Sequence, residues 1–91
     1  MKTPRVKICC ISSLEEARTA IAHGASALGL VSAMPSGPGP IPENLIREIA
    51  VQVPPPIATF LLTSSQDAGQ IIDQQRRCST NTLQLLSLIH I

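Results

Sequence analysis

The chain has 91 residues, short of the roughly 100 to 200 of an ordinary domain, so at most one small domain fits. Apolar residues make up 44% against 14% charged, which excludes a disordered charged tail. A formal net charge of +1 exerts no general pull on phosphate backbones or anionic lipid, and one Phe with no Tyr or Trp gives bases nothing to stack on.

Nucleic acid and membrane are therefore set aside as partners. The longest apolar runs, such as residues 57–62, are of strand length and well short of the ~20 residues a membrane helix needs. Met1 to Arg5 leads into only a few apolar residues before Ser12, which does not make a signal peptide. Three cysteines, two of them adjacent, fit a reducing cytoplasmic compartment better than a disulfide framework.

Residues 5–9, with Val6 and Ile8 apolar, read as a first strand that stops at Ser12 and Ser13. Ser13-Leu14-Glu15-Glu16 matches a capping box, with Glu16 reaching back to the cap. Leu14, Ala17 and Ile21 then recur at helical spacing until Gly24 ends the helix. Residues 27–31 are too short for a helix and read as a strand buried on both faces. Residues 32–40, rich in Pro and Gly, form a loop.

Pro42 suits a first helical position, and Leu45, Ile46, Ile49, Ala50 and Val53 make one apolar stripe that stops at three prolines. Residues 57–62 give a third strand. A cap over residues 64–67 opens a third helix, with Ala68, Ile71 and Ile72 inward and Arg76 and Arg77 in its last turn, where they read as a solvated helix end. Thr82 to Leu85 opens a fourth strand. The order βαβαβαβ implies a parallel sheet with right-handed crossovers.

The fold class is α/β. Four such strands make either an incomplete doubly wound sheet or the first half of a (βα)8 TIM barrel, a fold that typically takes about 250 residues. Residues 1–85 are read as the amino-terminal half of a barrel. Residues 86–91, Leu-Ser-Leu-Ile-His-Ile, resemble the translation of a transposase adapter from sequencing-library preparation, read in frame, and are excluded from fold reasoning.

On the first strand, alternation puts Lys7 and Cys9 on one face and Val6, Ile8 and Cys10 on the other. If Val6 and Ile8 pack against the helices, Lys7 and Cys9 point into the barrel, and Cys9 lies at the carboxyl end of its strand, where barrel enzymes hold their active sites. An ammonium near a thiol enlarges the thiolate fraction, so Cys9 is the candidate general base and Lys7 its modulator. A buried cysteine acting as a small hydrophobe is the plain alternative. Cys10 is expected beneath the helices, and Cys78 is expected to be structural.

Gly24 and Gly29 are spaced as in a phosphate-binding loop, but Leu30 and Val31 stand where its Lys and Ser or Thr belong. The glycines of residues 36–39 could turn N–H groups toward an anion, although a plain surface loop is the simpler reading. No zinc-ligand spacing occurs.

Four segments together resemble the amino-terminal half of the phosphoribosylanthranilate isomerases: Val6-Lys7-Ile8-Cys9, Ser13 to Ala17, Gly24 to Val31, and Thr82-Leu83-Gln84-Leu85. The resemblance covers about residues 5 to 85. It implies a tryptophan-pathway barrel enzyme that carries out an Amadori rearrangement of N-(5-phosphoribosyl)anthranilate, a small phosphorylated substrate, with no cofactor or metal. The family's first-strand cysteine, the general base, falls on Cys9.

Under that resemblance a general acid protonates the ribose ring oxygen, the ring opens to an imine, and the thiolate removes the C2 proton. The acid, an Asp on a later strand, and the phosphate site fall beyond these residues, so the chain is expected to be inactive alone. Cys10 stands where the family usually has Gly, and residues 32–41 lack the Arg its members commonly carry there. The alternatives are a divergent βα-barrel enzyme on another phosphorylated substrate, or a non-catalytic truncated fragment.

Overall fold

The computed structural model describes residues 5–33 and 39–85. Most of the loop after the second strand and the adapter-like tail, and with them any anion site at residues 36–38, lie outside these residues. The elements run β1 (Lys7–Ile8), α1 (Leu14–Ala22), β2 (Ala27–Val31), α2 (Glu43–Gln52), β3 (Ala58–Thr63), α3 (Ala68–Cys78) and β4 (Thr82–Leu85).

All four strands are parallel and lie side by side in chain order, β1-β2-β3-β4. Right-handed crossovers between strands that advance in one direction deliver every helix to the same face. A doubly wound sheet reverses its strand order to cover both faces; this one does not, so the arrangement is that of a barrel wall.

Local chemistry sets where the helices begin and end. The Ser13 hydroxyl accepts from the Glu16 N–H at 3.1 Å, capping α1. The Glu16 carboxylate reaches one residue further back than a capping box requires, accepting from the N–H and hydroxyl of Ser12 at 2.8 and 2.9 Å. Those two bonds hold its carboxyl below the usual range. Gly24 ends the helix at φ +97°. Pro42 stands just outside α2 as its N-cap, one position earlier than expected. Asp67 caps α3 through the Gln70 N–H at 2.8 Å.

The core lies between the sheet and the helices. Leu28 and Leu30 of β2 and Leu61 of β3 have no exposed surface and pack with Ala17, Ile46, Ile49 and Cys78. Side chains of alternate residues point to opposite faces, so Gly29, Phe60 and Leu62 belong to the face the helices do not cover. Burial on the helix side raises the Cys78 thiol to about 11, which fits the structural role expected for it.

Four sequence expectations are corrected. Val6 and Ile8 are 45% and 39% exposed, because β1 is an edge strand and a groove between it and α1 is left open. Cys10 is exposed rather than buried under the helices: at φ +59° the chain has left the strand, and alternation no longer governs it. In α3, Ile72 is 50% exposed while Ile71 is buried: the covered face of this helix runs through Ile71 and Cys78, and the step of about 100° from Ile71 carries Ile72 out to solvent. Ala68 is exposed at the start of that helix.

Candidate active site

Lys7 pairs with Ala27 and Ile8 with Leu28, so one further step of register sets Cys9 beside Gly29. Gly29 in turn pairs with Phe60, and Phe60 with Thr82. Cys9, Gly29, Phe60 and Thr82 therefore form one row across the sheet, on the face free of helices.

The position of the Cys9 sulfur is fixed by its neighbour. A methyl group added at Gly29 would stand 2.8 Å from Cys9 Sγ, 3.2 Å from Cys9 Cα and 3.4 Å from Leu62 Cδ1. The sulfur therefore lies over Gly29 on the open face, with the Leu62 side chain closing on the same point. It does not turn outward beneath the helices. The next residues remain tied to β2 by an Ile11 N–H to Gly29 carbonyl bond of 3.1 Å.

Lys7 shares this face. Its ammonium sits 4.5 Å from the centre of the Phe60 ring and donates to the Gln84 side-chain carbonyl. The interaction spans β1, β3 and β4, and Lys7 lies one side-chain pair below Cys9, about 7 Å along the strand. Phe60 and Gln84 were missed as site residues because their nearness to Lys7 depends on strand register, which local pattern does not carry.

Just past Cys9, the sulfur of Cys10 lies 2.7 Å from where a methyl group on Gly39 would be. The first βα turn thus touches the end of the loop that follows β2. Ser32 at the start of that loop is buried, its hydroxyl donating to the Leu62 carbonyl at 2.9 Å.

A groove of about 640 Å³ runs along the outer flank of β1, lined by Val6, Ile8, Ala20, His23 and Ala25 among others. Cys9 borders it only because β1 is an edge; the groove is the uncovered helix side of that strand. Among the described residues, no group of three or more His, Cys, Asp and Glu side chains is placed to hold a metal, and no helix is long and apolar enough to cross a membrane.

An open parallel sheet in sequential order has the architecture of one part of a βα barrel. No family model matches the chain. Curated relatives do: the N-(5'-phosphoribosyl)anthranilate isomerase of Desulfitobacterium hafniense is 40% identical over 85 residues, covering 90% of this chain and 34% of its own length. That of Chlorobium luteolum is 35% identical over 81 residues, covering 89% of this chain and 37% of its own.

The crystal structure of phosphoribosyl anthranilate isomerase from Thermotoga maritima superposes with a TM-score of 0.85 at 30% identity, over 97% of this chain and 42% of that one. Another such enzyme, in complex with reduced 1-(o-carboxyphenylamino)-1-deoxyribulose 5-phosphate, gives the same TM-score and identity over 45% of its length. By sequence and by fold this chain is a relative of the phosphoribosylanthranilate isomerases. It spans about a third of the length of the curated relatives named here.

Proposed function

We propose that the chain supplies the amino-terminal wall, residues 1–85, of a phosphoribosylanthranilate isomerase, with Cys9 as the general base. The observation that carries the reading is the Cys9 sulfur, which lies over Gly29 on the open face at the carboxyl end of β1. In the reaction proposed for the completed barrel, protonation of the ring oxygen lets the C1–O bond break and the nitrogen lone pair form a protonated imine. The Cys9 thiolate takes the proton from C2, that C–H pair becomes the C1–C2 double bond, and the C–N double-bond pair returns to the nitrogen, giving a neutral enolamine. Tautomerisation of that enolamine gives the ketone. The Lys7 side chain lies on the same face as the thiol, held by Phe60 and Gln84. The acid that protonates the ring oxygen, and the groups that grip the phosphate, belong to the rest of the barrel. The likeness to barrel enzymes of this class supports a soluble cytoplasmic setting and no cofactor.

The test is a chimera in which this chain replaces the matching segment of the Desulfitobacterium hafniense enzyme. It is expected to restore growth without tryptophan to a host lacking the isomerase, and Cys9→Ala is expected to abolish that growth. A well-folded chimera that fails to isomerise the substrate, or one that retains its rate after Cys9→Ala, overturns the reading.

A further inference from the structure

The glycine at position 29 matches no phosphate loop, and its backbone is not in the left-handed region, so neither anion binding nor chain conformation accounts for it. Strand interiors ordinarily disfavour glycine, which packs nothing and costs backbone entropy. What distinguishes the site is the close approach of Cys9: Sγ would meet a Cβ there at 2.8 Å, a separation real side chains do not tolerate, and Cys9 Cα would meet it at 3.2 Å. Leu62 Cδ1 lies 3.4 Å from the same point, so the added methyl group would also be in contact with the Leu62 side chain.

We propose that Gly29 is a positioning residue whose missing side chain forms the seat of the Cys9 thiol. With any larger residue at position 29, the sulfur must rotate off β2 toward the open edge of β1, or β1 must separate from β2. Either movement takes the sulfur from the row it shares with Phe60 and Thr82. The assignment rests on the reading of Cys9 as base, and its test uses no turnover, so the two fail separately.

The experiment is a substitution series on the chain itself. Gly29→Ala is combined with Cys, Ser or Ala at position 9, and the folding equilibrium is measured by urea titration. With Cys9 present, Gly29→Ala is expected to lower the folding constant at least tenfold. With Cys9→Ser, whose oxygen reaches less far, the loss shrinks, and with Cys9→Ala it falls to threefold or less.

In parallel, Cys9 alkylation by iodoacetamide, located by tandem mass spectrometry across pH 7 to 10, is expected to change at least threefold in Gly29→Ala as the sulfur leaves its seat. A loss that is the same whatever occupies position 9, or an unchanged alkylation profile, overturns the proposal. If Gly29→Ala does not fold, the pair with Cys9→Ala decides: recovery of folding supports the seat, and continued unfolding overturns it.

Discussion

The two faces of the sheet divide the work. One is covered by the helices over its two central strands, where Leu28, Leu30 and Leu61 against Ile46 and Ile49 are apolar and without solvent contact, while Val6 and Ile8 at the β1 edge stay exposed. The other carries Lys7, Cys9, Phe60, Leu62 and Gln84 and no helix. Burial of apolar area supplies folding free energy wherever it occurs, whereas a thiol can meet a solute only where it is left uncovered. The contrast between Cys78 and Cys9 shows this within one residue type: the first is buried and its thiol is pushed up to about 11, the second is exposed over the open face.

The largest effect expected on either face is a cavity on the covered one. Ile49→Ala should cost about 2–5 kcal/mol by denaturant titration, a large share of the ~5–15 kcal/mol available to a small domain. Phe60→Ala, on the open face and already partly exposed, should cost clearly less. If the two costs were equal, the division between faces would be wrong.

The two thiols give a second contrast, smaller and dependent on pH. For Cys78 the folded pKa of about 11 lies above the ordinary 9.0 of the unfolded chain, so its contribution is fully present below pH 9 and is lost as pH rises toward 11. Stability should fall by on the order of 2 kcal/mol across that window. Cys78→Ala should flatten the fall, and iodoacetamide should label Cys9 in the folded chain while sparing Cys78.

Most of the covered face was legible in the sequence. An apolar run between turn signals predicts β2 at residues 27–31, and the caps at Ser13 and at Asp67 stand where the side-chain chemistry requires them. The edges were less so. β1 is only Lys7–Ile8 because the chain turns at Cys10, and no local pattern reveals that a cysteine there adopts φ +59°. On the open face, alternation places Lys7 and Cys9 together, but Gly29 as a seat and Phe60 with Gln84 as the lysine's partners are contacts between strands. They exist only once register is set, and register comes from packing against the helices.

The turn at Cys10 offers a gain rather than a loss. A left-handed non-glycine residue costs about 1–2 kcal/mol, and glycine returns ~0.5–1 kcal/mol of that as unfolded-chain entropy. Cys10→Gly should therefore stabilise the chain by up to about 1 kcal/mol in the same titration. A destabilised variant would mean that the interactions of the Cys10 side chain, its contact with Gly39 among them, outweigh the backbone strain.

The smallest effect lies where two helices of the covered face meet solvent. Arg77, in the last turn of α3, grips Glu43, in the first turn of α2, through Nε at 2.8 Å and Nη2 at 3.2 Å. Each side chain also suits its end of the helix dipole. Arg76 and Arg77 read from the sequence as no more than a solvated helix end, and with 57% and 37% of the side chains exposed the Arg77–Glu43 pair should contribute little. The Arg77 guanidinium holds the Glu43 carboxyl below its ordinary 4.5. The contribution is therefore present above that value and is lost as pH falls below it. Arg76 sits in the same turn of α3 and serves as the control. Arg77→Ala should destabilise the chain slightly more than Arg76→Ala at pH 7 and low salt. The gap should close at 1 M salt, where the screening length drops to about 3 Å, and again at pH 3. A gap that persists under both conditions would show that Arg77 contributes through the packing of its aliphatic stem between α2 and α3 rather than through its charge.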